Sequence, residues 1–134
     1  MGEQAVGKPD TWYAYFVVTG SFEPDEIARR VGVSPTYAVK EGEPGRYAKR
    51  VKCSRWELRS RLDMKAPLEA QVKDVLDQLD GNKAGFEQLS RELGGTMQLV
   101  GYFSEHEPGV HFEREIVERI AQYALSIDCD FYNY

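Results

Sequence analysis

Between positions 46 and 61 the chain carries seven cations, Arg46, Lys49, Arg50, Lys52, Arg55, Arg59 and Arg61, against the single acid Glu57. Planar guanidinium groups at that density can grip carboxylates or phosphates through paired hydrogen bonds. Tyr47 and Trp56 lie among them, and aromatic rings between cations can stack on the bases of single-stranded nucleic acid. The charge of the whole chain discriminates between those ligands. The segment sums to +6 while the 134-residue chain is −5, so everything outside the segment sums to −11. An acidic body opposes long-range attraction of polyanions, which argues against nucleic acid. The same layout suits an acidic protein partner, with Arg46, Lys49, Arg50, Arg55, Arg59 and Arg61 as binding residues. A solvated hairpin whose cations balance the acidic body is the non-functional alternative.

The two histidines, His106 and His111, stand among Glu105, Glu107 and Glu113. A histidine fixed before a helix and beside a carboxylate can move protons near neutral pH. A polar pocket around His111, with Glu113 or Asp130, is therefore the enzyme or ligand-binding alternative. Asp128 and Asp130 share one side of a strand, a spacing that could hold a cation but that also guards a sheet edge against unwanted pairing. Zinc expects four ligands at recognisable spacing, and two histidines five apart with two isolated cysteines do not supply them. No metal or cofactor is expected. The sequence contains no G-x-S-x-G, G-x-x-x-x-G-K-[ST], H-E-x-x-H or G-x-G-x-x-G signature. Cys53 and Cys129 alternate with polar neighbours and read as buried small hydrophobes.

The elements that must position these groups follow from periodicity. Residues 1–10 read as a loose leader, and 11–134 as a single domain. Trp12 to Val18 is aromatic and β-branched on both parities, which predicts a central strand covered on both faces. Pro24 opens a short helix with Asp25 and Glu26 in its first turn, and Gly32 stops it. A strand near Thr36–Lys40 and another over Val51–Ser60 form a hairpin about the turn at Glu41–Gly45. In the second strand Trp56 and Leu58 point inward, while Arg55, Glu57 and Arg59 point to water. Leu68, Val72, Val75, Leu76 and Leu79 make an apolar stripe on a helix from Pro67, and Phe86, Leu89 and Leu93 make another over 83–93. Thr96–Ser104 returns to strand, Val110–Phe112 reads as a short strand, and Ile116 and Ile120 mark the last helix. Ile127, Cys129 and Phe131 then alternate with acids in a half-buried strand. The order is β-α-β-β-α-α-β-(β)-α-β. It predicts an α+β fold, an antiparallel or mixed sheet packed by helices and related to the split β-α-β plan.

Composition sets the class. With 42% apolar and 29% charged residues the chain reads as an ordinary globular protein. It has no apolar run long enough for a membrane span, its first ten residues do not read as a signal peptide, and its two cysteines fit a reducing cytoplasm, so a cytoplasmic protein is expected.

Tyr15–Ile27, Val33-Ser34-Pro35-Thr36, Trp56-Glu57-Leu58, Pro108–Phe112 and Ile127–Tyr132 together resemble a bacterial family known as a domain of unknown function, number 4279. The resemblance runs from Trp12 to Tyr132 in one order. Its motifs are mostly fold-determining, so they identify a family without identifying a reaction, and the resemblance assigns no catalytic residue. By analogy the resemblance implies a small stand-alone protein of immunity or antitoxin type, a non-enzymatic interaction module.

Overall fold

The computed structural model describes residues 9–104 and 109–133. Five strands form one open sheet: β1 (Thr11–Gly20), β2 (Tyr37–Val39), β3 (Ser54–Arg59), β4 (Thr96–Phe103) and β5 (Ser126–Asn133). Their spatial order is β2-β3-β1-β4-β5. Neighbours are antiparallel except β4 and β5, which are parallel. Among the described residues the α-helices are α1 (Pro24–Val31), α2 (Leu68–Leu79), α3 (Lys83–Leu93) and α4 (Arg114–Gln122). The chain thus builds the expected α+β fold with a mixed sheet. β1-α1-β2 is a split unit with β3 inserted between its strands, and β3-α2-α3-β4 is a second with β1 inserted. β4-α4-β5 then adds an unsplit parallel strand at one edge.

Strand parity decides the two faces. Ala14, Phe16 and Val18 of β1, Trp56 and Leu58 of β3, and Met97 and Leu99 of β4 form the core with Val72, Val75, Leu76 and Leu79 of α2 and with Phe86 and Leu89 of α3. Phe16, Trp56 and Phe86 pack mutually, with ring centroids 5.4–6.2 Å apart. Buried Gln71 of α2 donates through Nε2 to the carbonyls of Trp12 (2.9 Å) and Asp63 (2.8 Å), fixing that helix against β1. α1 begins at Pro24 and ends at Gly32, whose left-handed φ of +74° turns the chain out of the helix. α4 is moored by Arg119, which reaches Asp77 and Asp80 at 2.9 Å, and by the Tyr123 hydroxyl on Asp80. Among the described residues no helix is long and apolar enough to cross a membrane.

Four local expectations are corrected. Among the described residues Val110–Phe112 pairs with no strand, and it leads directly into α4. Cys53 and Cys129 are exposed, because Cys53 precedes β3 outside the sheet and Cys129 sits on the edge strand. β5 is exposed along its whole length rather than half-buried, since α4 packs its apolar residues into the core and leaves the edge uncovered. Glu57 does not face water, because the segment between β2 and β3 folds back over it. His106 lies outside the described residues.

Candidate functional site

The side chains pointing away from the helices make an open face. β1 contributes Tyr13 and Tyr15, β3 contributes Arg55, Glu57 and Arg59, and β2 contributes Tyr37. Register brings them together, with Tyr15 opposite Arg59 and Glu57 opposite Tyr37. The segment joining β2 to β3 is held by its own backbone bonds, among them Gly42 N–H to Val51 O and Gly45 N–H to Lys49 O. Arg50 donates to the Gly42 carbonyl at 2.6 Å and closes the same segment. That arrangement carries Arg46 back over the sheet.

Arg46 clamps Glu57 with both terminal nitrogens, at 2.8 and 3.3 Å, and its guanidinium lies 3.7 Å over the ring of Tyr37. Arg55 donates to the same carboxylate and, at 3.3 Å, to the Tyr15 hydroxyl. Glu57 is only 4% exposed. A carboxylate so desolvated requires partners, and two guanidinium groups supply them. Hydrogen bonding to Glu57 raises the Arg46 pKa, and the Arg55 pKa rises because that bond outweighs the opposing effect of burial. Arg59 lies 3.9 Å over the ring of Tyr13, and among the described residues its guanidinium has no carboxylate within ion-pairing distance. Tyr13 stacks on Tyr15 with centroids 6.1 Å apart. Burial, then the neighbouring Tyr102, pushes the Tyr13 pKa up to about 12, so its hydroxyl keeps its proton at neutral pH. Tyr13, Tyr15, Thr36, Tyr37, Arg46, Glu57 and Arg59 enclose a hollow of about 260 Å³ with a surplus of one positive charge.

Across the sheet the charge reverses. The register row Arg59, Tyr15, Gln98, Asp128 runs from cation to carboxylate, and Asp130 accepts from Gln98 Nε2 at 3.1 Å. Of the six cations singled out in the sequence, Arg46 and Arg59 line the hollow, and Arg55 braces two of its walls, Glu57 and Tyr15, from beside it. Arg61 instead grips Asp74 of α2 at 2.6 Å, Arg50 closes its own segment, and Lys49 is exposed. His111 meets Glu113 at 3.2 Å, but its side chain is 77% exposed. It borders a hollow of about 480 Å³ with Asp10, Trp12, Lys65 and Glu69, whereas Asp130 belongs to the open sheet face. Among the described residues no three His, Cys, Asp or Glu side chains are placed to hold a metal ion.

Tyr13, Tyr15, Tyr37 and Glu57 enter the site although sequence reasoning did not select them. The tyrosines of β1 share a parity opposite to that of Phe16 and Val18, a signal hidden by a strand that is apolar on both parities.

No curated protein and no solved structure matches the chain. Residues 10–134 match the family described as Domain of unknown function (DUF4279), and the chain belongs to it.

Proposed function

We propose that this chain is a cytoplasmic, non-enzymatic interaction module that receives an acidic protein partner on the open face of its sheet. The observation that carries this reading is the Arg59 guanidinium, stacked on Tyr13 and, among the described residues, without a carboxylate of its own. Ring contact fixes the guanidinium plane and leaves its donors for a visiting carboxylate. Arg46 and Arg55 add positive field while their own valences are largely taken by Glu57. The protonated Tyr13 hydroxyl and the mutual ion pairs favour binding over proton transfer. Immunity-type inhibition of another protein is a role of this kind. Two unbridged, exposed cysteines support a reducing compartment.

The test is a titration of isotope-labelled protein with hexaglutamate at two salt concentrations, beside single-stranded oligothymidylate. Shifts at Tyr13, Tyr15, Thr36 and Arg59 that weaken with salt and vanish in Arg59→Glu are expected. Tighter binding of oligothymidylate on the same face transfers the site to nucleic acid. Hexaglutamate shifts confined to the surroundings of His111 move it to the other hollow.

A further inference from the structure

The opposite end of the sheet carries a second, chemically inverse surface. Among the described residues β5 is an edge strand whose only sheet neighbour is β4. All of its residues from Ser126 to Asn133 are exposed. A strand in this position directs alternate backbone N–H and C=O groups outward, with nothing across from them. The other edge, β2, is three residues long, a common means of blunting an edge. β5 is eight residues long and is not shortened.

Its side chains are sorted by face. Toward the helix side stand Ile127, 49% exposed, exposed Cys129, and Phe131, 40% exposed. Toward the open face stand Asp128, Asp130 and Tyr132, with the Tyr132 ring stacked on Tyr102 at 5.1 Å. Among the described residues, neither aspartate has a cation within ion-pairing distance. These charges decide the occupant. Antiparallel pairing of β5 with a second copy about a two-fold axis sets Asp128 against Asp130, or Asp130 against itself, in both registers of greatest overlap. Like charges directly opposite across a ladder are destabilising, whereas opposite charges stabilise it.

We propose that β5 is a docking edge that captures an extended segment of a partner protein by strand addition, the segment presenting Lys or Arg toward Asp128 and Asp130 and apolar side chains toward Ile127 and Phe131. The acids that repel a second copy select this partner. Main-chain hydrogen bonds supply affinity, and alternate side chains supply specificity. The surface is separate from the arginine-lined hollow and takes ligands of the opposite charge, so each can fail without the other.

The experiment uses the full chain, isotope-labelled, with three short capped peptides: alternating Lys and Val, alternating Glu and Val, and the Lys–Val peptide N-methylated along one edge. Expected are shifts and slowed amide exchange over Ser126–Asn133 with Lys–Val alone. N-methylation removes the donors of one edge and lowers the affinity about tenfold. Asp128→Asn with Asp130→Asn abolishes the preference for Lys–Val, and Asp128→Lys with Asp130→Lys reverses it by about fivefold or more. Unchanged amide positions over β1–β4 establish that the variants keep the fold. Equal binding of the Lys–Val and Glu–Val peptides, full binding of the N-methylated peptide, absence of shifts on β5, or sedimentation as a dimer through β5 would each overturn the proposal.

Discussion

Trp12 and Phe131 meet edge to face over Gly101, their rings 6.1 Å apart, and Gly101 is the register partner of both. The glycine leaves its place on the helix side of β4 to be filled from the two flanking strands. A Cβ there would lie 2.7 Å from the Trp12 ring and 3.1 Å from Phe103. This close approach explains a glycine inside a strand, and it ties the edge strand to the sheet centre.

Gly101→Ala is therefore expected to displace Trp12, unseat Phe131 and cost about 1–3 kcal/mol by overpacking. Urea melts give the loss in stability. Amide exchange gives its location, with protection falling first over Ser126–Asn133. A neutral substitution with unchanged exchange would show that the three aromatic side chains yield without cost.

Trp56 and Glu57 are adjacent in the chain and are buried on opposite faces of the sheet, at 0% and 4% exposure. Trp56→Ala should cost about 3–5 kcal/mol, the usual range for truncating a large core aromatic. Arg55→Ala should cost about 1–2 kcal/mol, because it strips a charged hydrogen bond from the desolvated Glu57 carboxylate. Parity alone predicts almost no cost for Arg55. Urea melts of the two variants separate these accounts, and an unaffected Arg55→Ala would mean that Arg46 satisfies Glu57 unaided.

The contrast shows which features a sequence exposes. The stripe Leu68, Val72, Val75, Leu76, Leu79 and the inward parity of Trp56 and Leu58 are local patterns, and the structure reproduces them. Glu57 is buried by Arg46, eleven positions away on an irregular segment, so no periodicity within β3 reports it. The exposure of β5 is likewise non-local. Ile127, Cys129 and Phe131 alternate as a half-buried strand does, and only the sheet order makes that strand an edge. Arg59 faces outward as its parity requires, but its contact with Tyr13 depends on how β1 and β3 are aligned.

Acid stability should depend on the link between Arg61 and Asp74. Burial raises the Asp74 pKa, but hydrogen bonds from the Arg61 side chain and backbone outweigh it and hold the carboxyl below its ordinary value. A depressed carboxylate stabilises the fold above the unfolded value of about 3.9, and that contribution is lost as pH falls through the folded value. Asp74→Asn should shrink the stability difference between neutral pH and pH near 2 by under about 1 kcal/mol, since Arg61 is largely in water. Urea melts at both pH values measure this, and an undiminished difference would assign the acid sensitivity to other carboxylates.

At the alkaline end the contact between Arg59 and Tyr13 makes a sharper prediction. Burial is the largest cause of the rise of Tyr13 to about 12, neighbouring tyrosines add to it, and the Arg59 charge pulls in the opposite direction. A phenol raised in the folded state contributes stability in full below its unfolded value near 10, and loses it as pH climbs through the folded value. Arg59→Ala removes the cation that lies over the ring, so Tyr13 should titrate higher still, which carbon-13-labelled tyrosine resonances can follow. Tyr13→Phe keeps the ring under the guanidinium and should retain hexaglutamate binding, whereas Tyr13→Leu removes the π face and should weaken binding several-fold. Equal weakening by Phe and Leu would assign recognition to the hydroxyl instead of the stacked ring. A Tyr13 resonance unmoved in Arg59→Ala would mean that the two groups do not share a field in solution.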